Sequence, residues 1–299
     1  MHIKHKNRKF FTIFATVFRL LTMVLFDTHN HSQFSFDGKR TSVETSARSA
    51  LEKGLRGITF TDHYDFFVPP MKALHEDFIE ETFDIAMQQE EIDRVQALLG
   101  KSHGFRIMKG IEIGMHEDHH ADIRNVLGSN SFDQITASVH YLDGTDPFYG
   151  EYYKNKDWKR AYGLYLETIL KEMTWMEDFD ILAHYDYIVR YAPYEVASIK
   201  HSDFGDLLDE IFRYLIHNGK ALEINTKSYR KHNGRDVFAD KEALQRYREL
   251  GGEIISFGSD SHVPERVGDN FTLHAHMMKA LGFRWSAHFH QRKLVQLPL

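Results

Sequence analysis

The 299-residue chain contains no cysteine and only 6 prolines. The first absence excludes disulfides, thiolate metal sites and thiol nucleophiles, and suits a reducing cytoplasm. Any transition metal must then take nitrogen and oxygen ligands. The few prolines and 19 glycines, with 42% hydrophobic and 27% charged residues, exclude collagen-like and wholly disordered chains. Positive charge is also short. Lys and Arg number 37 against 43 Asp and Glu, a formal charge of −6, so no basic footprint for nucleic acid or anionic membrane is expected. Long apolar runs are missing too. Near the start, the run from Phe10 to Val17 and Phe18 is broken by Arg19 well short of the ~20 residues that a membrane span needs, and no small-residue cleavage signal follows. What is abundant is histidine, 20 residues in all, the side chain that most often binds metals and shuttles protons.

From Val24 onward one arrangement repeats: a short apolar run, a polar cluster, then an amphipathic stretch. Seven runs fit strands, at Val24–Phe26, Gly57–Phe60, Arg106–Ile111, Ile135–Val139, Phe179–Ala183, Ala221–Ile224 and Glu253–Phe257. Helices are expected near 44–53, 77–99, 158–177, 203–218, 240–250 and 273–281, several opening on acidic or hydroxyl residues and ending at Gly. Alternating strands and helices predict a parallel sheet covered by helices, and seven units favour a barrel over an open sheet. No linker or internal repeat divides the chain. The reading is an extension over 1–22, one barrel domain over 23–282, and a basic, apolar tail over 283–299 without clear period.

Six of the seven runs end in a potential metal ligand. These are His29-Asn30-His31, Thr61-Asp62-His63, Glu112, His140, His184 with Asp186, and Asp260-Ser261-His262. In a parallel barrel the C-terminal strand ends meet on one face. The spacing of His29 and His31 puts both imidazoles on one side of an extended chain. His116, His119, His120, His274, His276, His288 and His290 fall in loop, helical or irregular segments and are expected to be solvated surface residues.

The motifs Asp27-Thr28-His29-Asn30-His31, Ser35-Phe36-Asp37-Gly38, Thr61-Asp62-His63, Gly110-Ile111-Glu112-Ile113-Gly114, Ser138-Val139-His140, Ala183-His184-Tyr185-Asp186 and Gly258-Ser259-Asp260-Ser261-His262 resemble the polymerase-and-histidinol-phosphatase (PHP) superfamily. More narrowly they resemble its monofunctional histidinol-phosphatase branch, in motif order from about Val24 to Gly268. The resemblance implies a distorted (β/α)7 barrel of the α/β class with a three-metal cluster. It implies one ion held by His29, His31, Glu112 and Asp260, a second by Glu112, His140 and His184, and a third by Asp37, His63 and His262. It also implies cytoplasmic hydrolysis of L-histidinol phosphate to L-histidinol and phosphate.

Imidazole and carboxylate ligands suit Zn, Mn or Fe. Two such ions ~3.5–4 Å apart can deprotonate a shared water, polarise a phosphoryl oxygen and stabilise a leaving alkoxide. Glu112 is therefore a candidate catalytic residue, as is Asp186, either orienting an imidazole or protonating the leaving group. The phosphate needs guanidinium donors, and Arg160, Arg190 and Arg230 lie downstream of strand ends. Alternatives are a nucleotide or cyclic phosphodiester substrate, a non-catalytic metal-binding module, and an amidohydrolase-type deaminase, whose ligand order fits these motifs less well.

Overall fold

A computed structural model describes residues 25–66, 81–100, 104–232, 234–237 and 239–299. The expected extension over 1–22 lies outside the described residues.

The strands are β1 (Phe26–Asn30), β2 (Gly57–Phe60), β3 (His63–Tyr64), β4 (Arg106–Gly114), β5 (Gln134–Ser138), β6 (Ile181–Leu182), β7 (Ala221–Asn225), β8 (Lys231–His232), β9 (Arg235–Asp236), β10 (Ile255–Gly258), β11 (Trp285–His290) and β12 (Lys293–Pro298). The α-helices are α1 (Val43–Glu52), α2 (Ile85–Leu99), α3 (His120–Ser129), α4 (Trp158–Met176), α5 (Tyr187–Tyr191), α6 (His201–His217), α7 (Lys241–Glu249) and α8 (Phe271–Ala280). Hydroxyl and acidic caps set several helix starts: Ser42, Asp84, Asp157 and Asp240 each accept a backbone N–H from the first turn. At Ser42 the bond is reciprocated by Thr45.

The main sheet runs β1-β2-β4-β5-β6-β7-β10-β11-β12, with β3 beside the end of β4. Every pairing in it is parallel except β11 with β12. β1, β2, β5, β6, β7 and β10 are buried along their whole length, as expected for parallel strands covered by helices. The sheet curls: Gln134 of β5 donates to the Thr28 carbonyl of β1 at 2.7 Å, with two strands lying between them in the order. A parallel bridge, Asn30 with Ser261, then ties the top of β1 to the chain leaving β10. At the other end β11 wedges in, and His288 stacks on Phe26 at 4.3 Å. The barrel is thus joined at its C-terminal rim by one bridge and split below by an added hairpin.

Three expectations are corrected here. His288 and His274 are not solvated: they are 7% and 6% exposed, in β11 and α8. The segment around His120 is not a loop but opens α3, and its imidazole stacks on Trp175 at 3.3 Å and bonds Glu172. Helix α2 starts at Ile85, later than the expected 77, of which 77–80 lies outside the described residues.

Candidate metal centre and its cavity

The register of the parallel strands collects the histidines. His63 pairs with Glu112 across β3 and β4, while His31 N donates to Ser261 O and Asp260 N to His29 O, both at 2.9 Å. The chain thereby carries Asp260 and His262 alongside His29 and His31. Asp260 has φ 49°, a left-handed conformation that aspartate tolerates better than most side chains.

Glu112 lies fully buried at the middle. Five imidazole nitrogens stand within 3.5 Å of its carboxylate: His29 at 3.1, His31 at 3.5, His63 at 3.0, His140 at 3.2 and His184 at 2.9 Å. His31 stacks between His63 and His262 at 4.2 and 4.0 Å, and Asp37 reaches His262 Nε2 at 2.7 Å. His29, His31, Asp37, His63, Glu112, His140, His184, Asp260 and His262 all fall into four overlapping groups whose ligand atoms lie within 4.8 Å of one another. Every metal-ligand candidate read from the sequence is therefore in one cluster.

Acids that sequence reasoning missed stand behind the imidazoles. His29 Nδ1 meets Glu223 Oε1 at 2.8 Å, and His140 Nδ1 meets Asp65 at 3.0 Å. A neutral imidazole that donates through Nδ1 presents a lone pair at Nε2. Those Nε2 atoms face Glu112 oxygens, so acceptor confronts acceptor unless positive charge lies between them. Carboxylates backing ligand imidazoles in this way orient and strengthen them. The donor set fits divalent metal ions. The surrounding carboxylates favour positive charge here, whether as a proton or as a metal ion: burial pushes the His29 and His140 imidazoles down, but Glu112 with Glu223, and Asp65 with Glu112, hold them well above the usual range. Against burial, His29, His63 and His140 hold Glu112 well below the usual carboxylate range. Burial dominates at His184, pushed down to about 4.

A cavity of about 430 Å³ opens from the cluster. Its lining carries the cations Arg190, Lys227, Arg230 and Arg266 and, besides the ligand candidates Asp37 and Asp260, the carboxyl groups of Glu81 and Asp146. Arg190 is 1% exposed; its Nη1 donates to Asp260 at 2.8 Å and its Nε to Ser228 at 3.0 Å, while Nη2 is buried without a partner. Arg230 lines the cavity and donates to Ser259 O. Arg160 does not come to this site: it is exposed in the first turn of α4 and is not among the cavity's lining residues. Asp186 also stays outside the lining; its carboxylate accepts from Ser228 at 2.9 Å rather than from an imidazole.

Carboxylate-bridged imidazoles at the C-terminal rim of a parallel barrel define a metal-binding α/β barrel. Within that class, residues 27–227 match the PHP domain model, and the chain belongs to that family. It is 33% identical over 249 residues to a probable histidinol-phosphatase of Clostridium acetobutylicum, covering 83% of this chain and 90% of that one. It is 32% identical over 271 residues to the histidinol-phosphatase of Lactococcus lactis subsp. lactis, covering 90% and 95%. The crystal structure of histidinol phosphate phosphatase from the same source, complexed with zinc, L-histidinol and phosphate, superposes with a TM-score of 0.81 at 29% identity, covering 92% of this chain and 100% of that one. Among the described residues no helix is long and apolar enough to cross a membrane.

Proposed function

We propose that this chain hydrolyses L-histidinol phosphate to L-histidinol and inorganic phosphate, a cytoplasmic step of histidine biosynthesis. The observation that carries the reading is the cavity itself, which joins the nine-residue cluster to four lysine and arginine side chains and to two carboxyl groups that are not ligand candidates. A phosphate ester bearing an organic cation matches that combination, whereas a nucleotide or cyclic phosphodiester brings negative charge without the cation.

His29, His31, Glu112 and Asp260 would hold one ion, Glu112, His140 and His184 a second, and Asp37, His63 and His262 a third. The ions would be zinc, as in the Lactococcus complex, or manganese or iron, which accept the same ligands. When bound, they supply Lewis-acid polarisation of the phosphoryl group and acidify water. The remaining work belongs to the chain. Arg190 is held by Asp260 and Ser228 through Nη1 and Nε, so its buried Nη2 is left to donate to a phosphate oxygen. Arg230 adds positive charge to the same cavity. Lys227 and Arg190 hold Asp260 well below the usual carboxylate range despite its burial, which keeps it an anion and a competent ligand. Asp186 acts through Ser228 on the Arg190 guanidinium and is a positioning residue. The reaction joins a water oxygen to phosphorus and breaks the ester P–O bond, with a proton going to the leaving alcohol.

The test is phosphate release from L-histidinol phosphate by zinc- or manganese-loaded protein, against an aryl phosphate and a cyclic nucleotide. The expected result is a preference of at least ~100-fold in kcat/KM for histidinol phosphate, and a loss of at least ~1000-fold in Glu112→Ala, on the scale of removing a group essential to metal-assisted chemistry. Equal, slow turnover of all three substrates overturns the substrate assignment.

A further inference from the structure

The chain that leaves β10 carries Asp260 and His262 into the cluster and places Val263 and Arg266 on the cavity wall. Its own backbone bonds close short turns, such as Arg266 N to Val263 O at 3.1 Å. Turns of that size shape a loop but do not anchor it. The anchor is a single side chain. Asp27 of β1, 0% exposed, accepts from Ser259 N through Oδ1 at 3.0 Å and from Gly268 N through Oδ2 at 2.7 Å. His29 N also approaches Oδ1, at 3.5 Å. A segment whose two ends meet in this way is an Ω-loop, and here one carboxylate is its clasp. A carboxylate suits the task because both of its oxygens accept and neither donates.

The outer side of the loop is held from α1. Ser49 Oγ donates to Pro264 O at 2.6 Å, and Lys53 Nζ donates to Glu265 O and Val267 O, both at 2.7 Å. Val267 is buried in one apolar cluster with Val43, Ala47 and Ala50 of α1. On the inner side, the bonds from Asp260 N to His29 O and from His31 N to Ser261 O fix the backbone only as far as Ser261. His262 lies past the last of these rungs, so its place over Asp37 follows from where the loop returns. Strand β1 does not depend on the Asp27 side chain in the same way. It is held by its backbone pairing with β2 and by the bond from Thr28 Oγ1 to Phe257 O at 3.0 Å.

We propose that Asp27 is a positioning residue: it clasps the loop 259–268 and thereby sets where Asp260 and, above all, His262 stand in the metal centre. The inference rests on the reading of the cluster as a metal centre. Asp27 belongs neither to the ligand groups nor to the cavity lining, and it acts through the loop.

The experiment compares zinc-loaded wild type with Asp27→Asn and Lys53→Met. An amide has one acceptor oxygen, and its NH2 turns a donor toward a second donor, so Asp27→Asn opens the clasp with little change in volume. Lys53→Met removes two outer bonds of the loop at the surface. Zinc affinity is measured against a competing chelator, and hydrogen exchange is followed by mass spectrometry in peptides covering 259–268 and, for reference, 134–138 of β5. Zinc affinity should fall about 10–100-fold in Asp27→Asn, as when an outer partner of a ligand is lost, and about 2–10-fold in Lys53→Met. Exchange in the loop should quicken by at least about 10-fold in Asp27→Asn while β5 exchanges as in wild type, and excess zinc should restore phosphate release. Unchanged zinc affinity overturns the proposal. So does exchange that quickens equally in the loop and in β5, since that is what a merely structural residue would give. If Asp27→Asn does not fold, Lys53→Met decides by the same two readouts, and wild-type behaviour in both overturns the clasp. A wild-type protein that binds zinc but hydrolyses no phosphate ester defeats the functional reading, while the zinc affinities still decide the role of Asp27.

Discussion

At the scale of single residues, the cluster depends on acids that do not themselves reach the cavity. Glu223 bonds His29 through Oε1, and through Oε2 accepts from His184 N at 2.8 Å and Asn225 Nδ2 at 3.1 Å. Both oxygens face donors, so an amide cannot replace the carboxylate without turning an N–H toward another donor. Glu223→Gln is therefore expected to weaken zinc binding about 10–100-fold, measured by titration against a competing chelator; unchanged affinity would show that Glu223 is only filling space. Its role was not legible by the rule that found the other ligands. That rule looked at strand ends, where recurrence of His, Asp and Glu is conspicuous, and Glu223 sits in the middle of its strand. The available signal was a charged residue inside the apolar run Ala221–Ile224, since a buried carboxylate needs a partner. Asp65 was hidden differently, being one more polar residue after Thr61-Asp62-His63. Arg160 and Arg190 read alike in sequence, and only burial and the cavity wall separate them.

At the scale of elements, the close approach of β10, β1 and β7 leaves no room for a side chain at Gly258. A Cβ there would lie 2.7 Å from His29 Cβ and would strike the Glu223 carboxylate. The glycine is needed here for space rather than for backbone freedom. Gly258→Ala should displace the His29–Glu223 pair, lower stability by roughly 1–3 kcal/mol as overpacking does, and reduce zinc content in the purified protein. Urea unfolding and elemental analysis check the two effects, and a variant with native stability and full metal content would refute the packing argument. The elements that were legible share a physical mark. Helices α1, α4, α6 and α7 carry apolar stripes, and most of the parallel strands hold a short run of apolar residues. Helix α3 lacks such a stripe, with Ile123 its one buried residue, so periodicity could not find it. Strand β12 is exposed at five of its six positions and β11 buries four consecutive residues. Neither shows the two-residue alternation by which an antiparallel hairpin is recognised.

At the scale of the whole molecule, the hairpin and α8 bring two histidines into the apolar interior, and this couples folding to pH. Burial pushes His274 and His288 down to about 4 each, and neither Nδ1 has a partner among the described residues. An unfolded chain holds histidine near its ordinary value of 6.5. Between these values the unfolded state binds more protons than the folded one, so stability rises with pH. The contribution is complete above about pH 6.5 and is lost as pH falls through the window toward 4. At pH 5 each residue then costs roughly 1–2 kcal/mol relative to neutrality. His288→Phe keeps the ring stacked on Phe26 but cannot titrate, so its stability relative to wild type should improve by that amount between pH 7 and pH 5. Any other group that titrates in this range does so in both proteins and cancels in the difference. Urea unfolding at the two pH values measures it. A wild-type-minus-variant difference that does not change with pH would mean that His288 is protonated in the folded protein and that β11 opens to water.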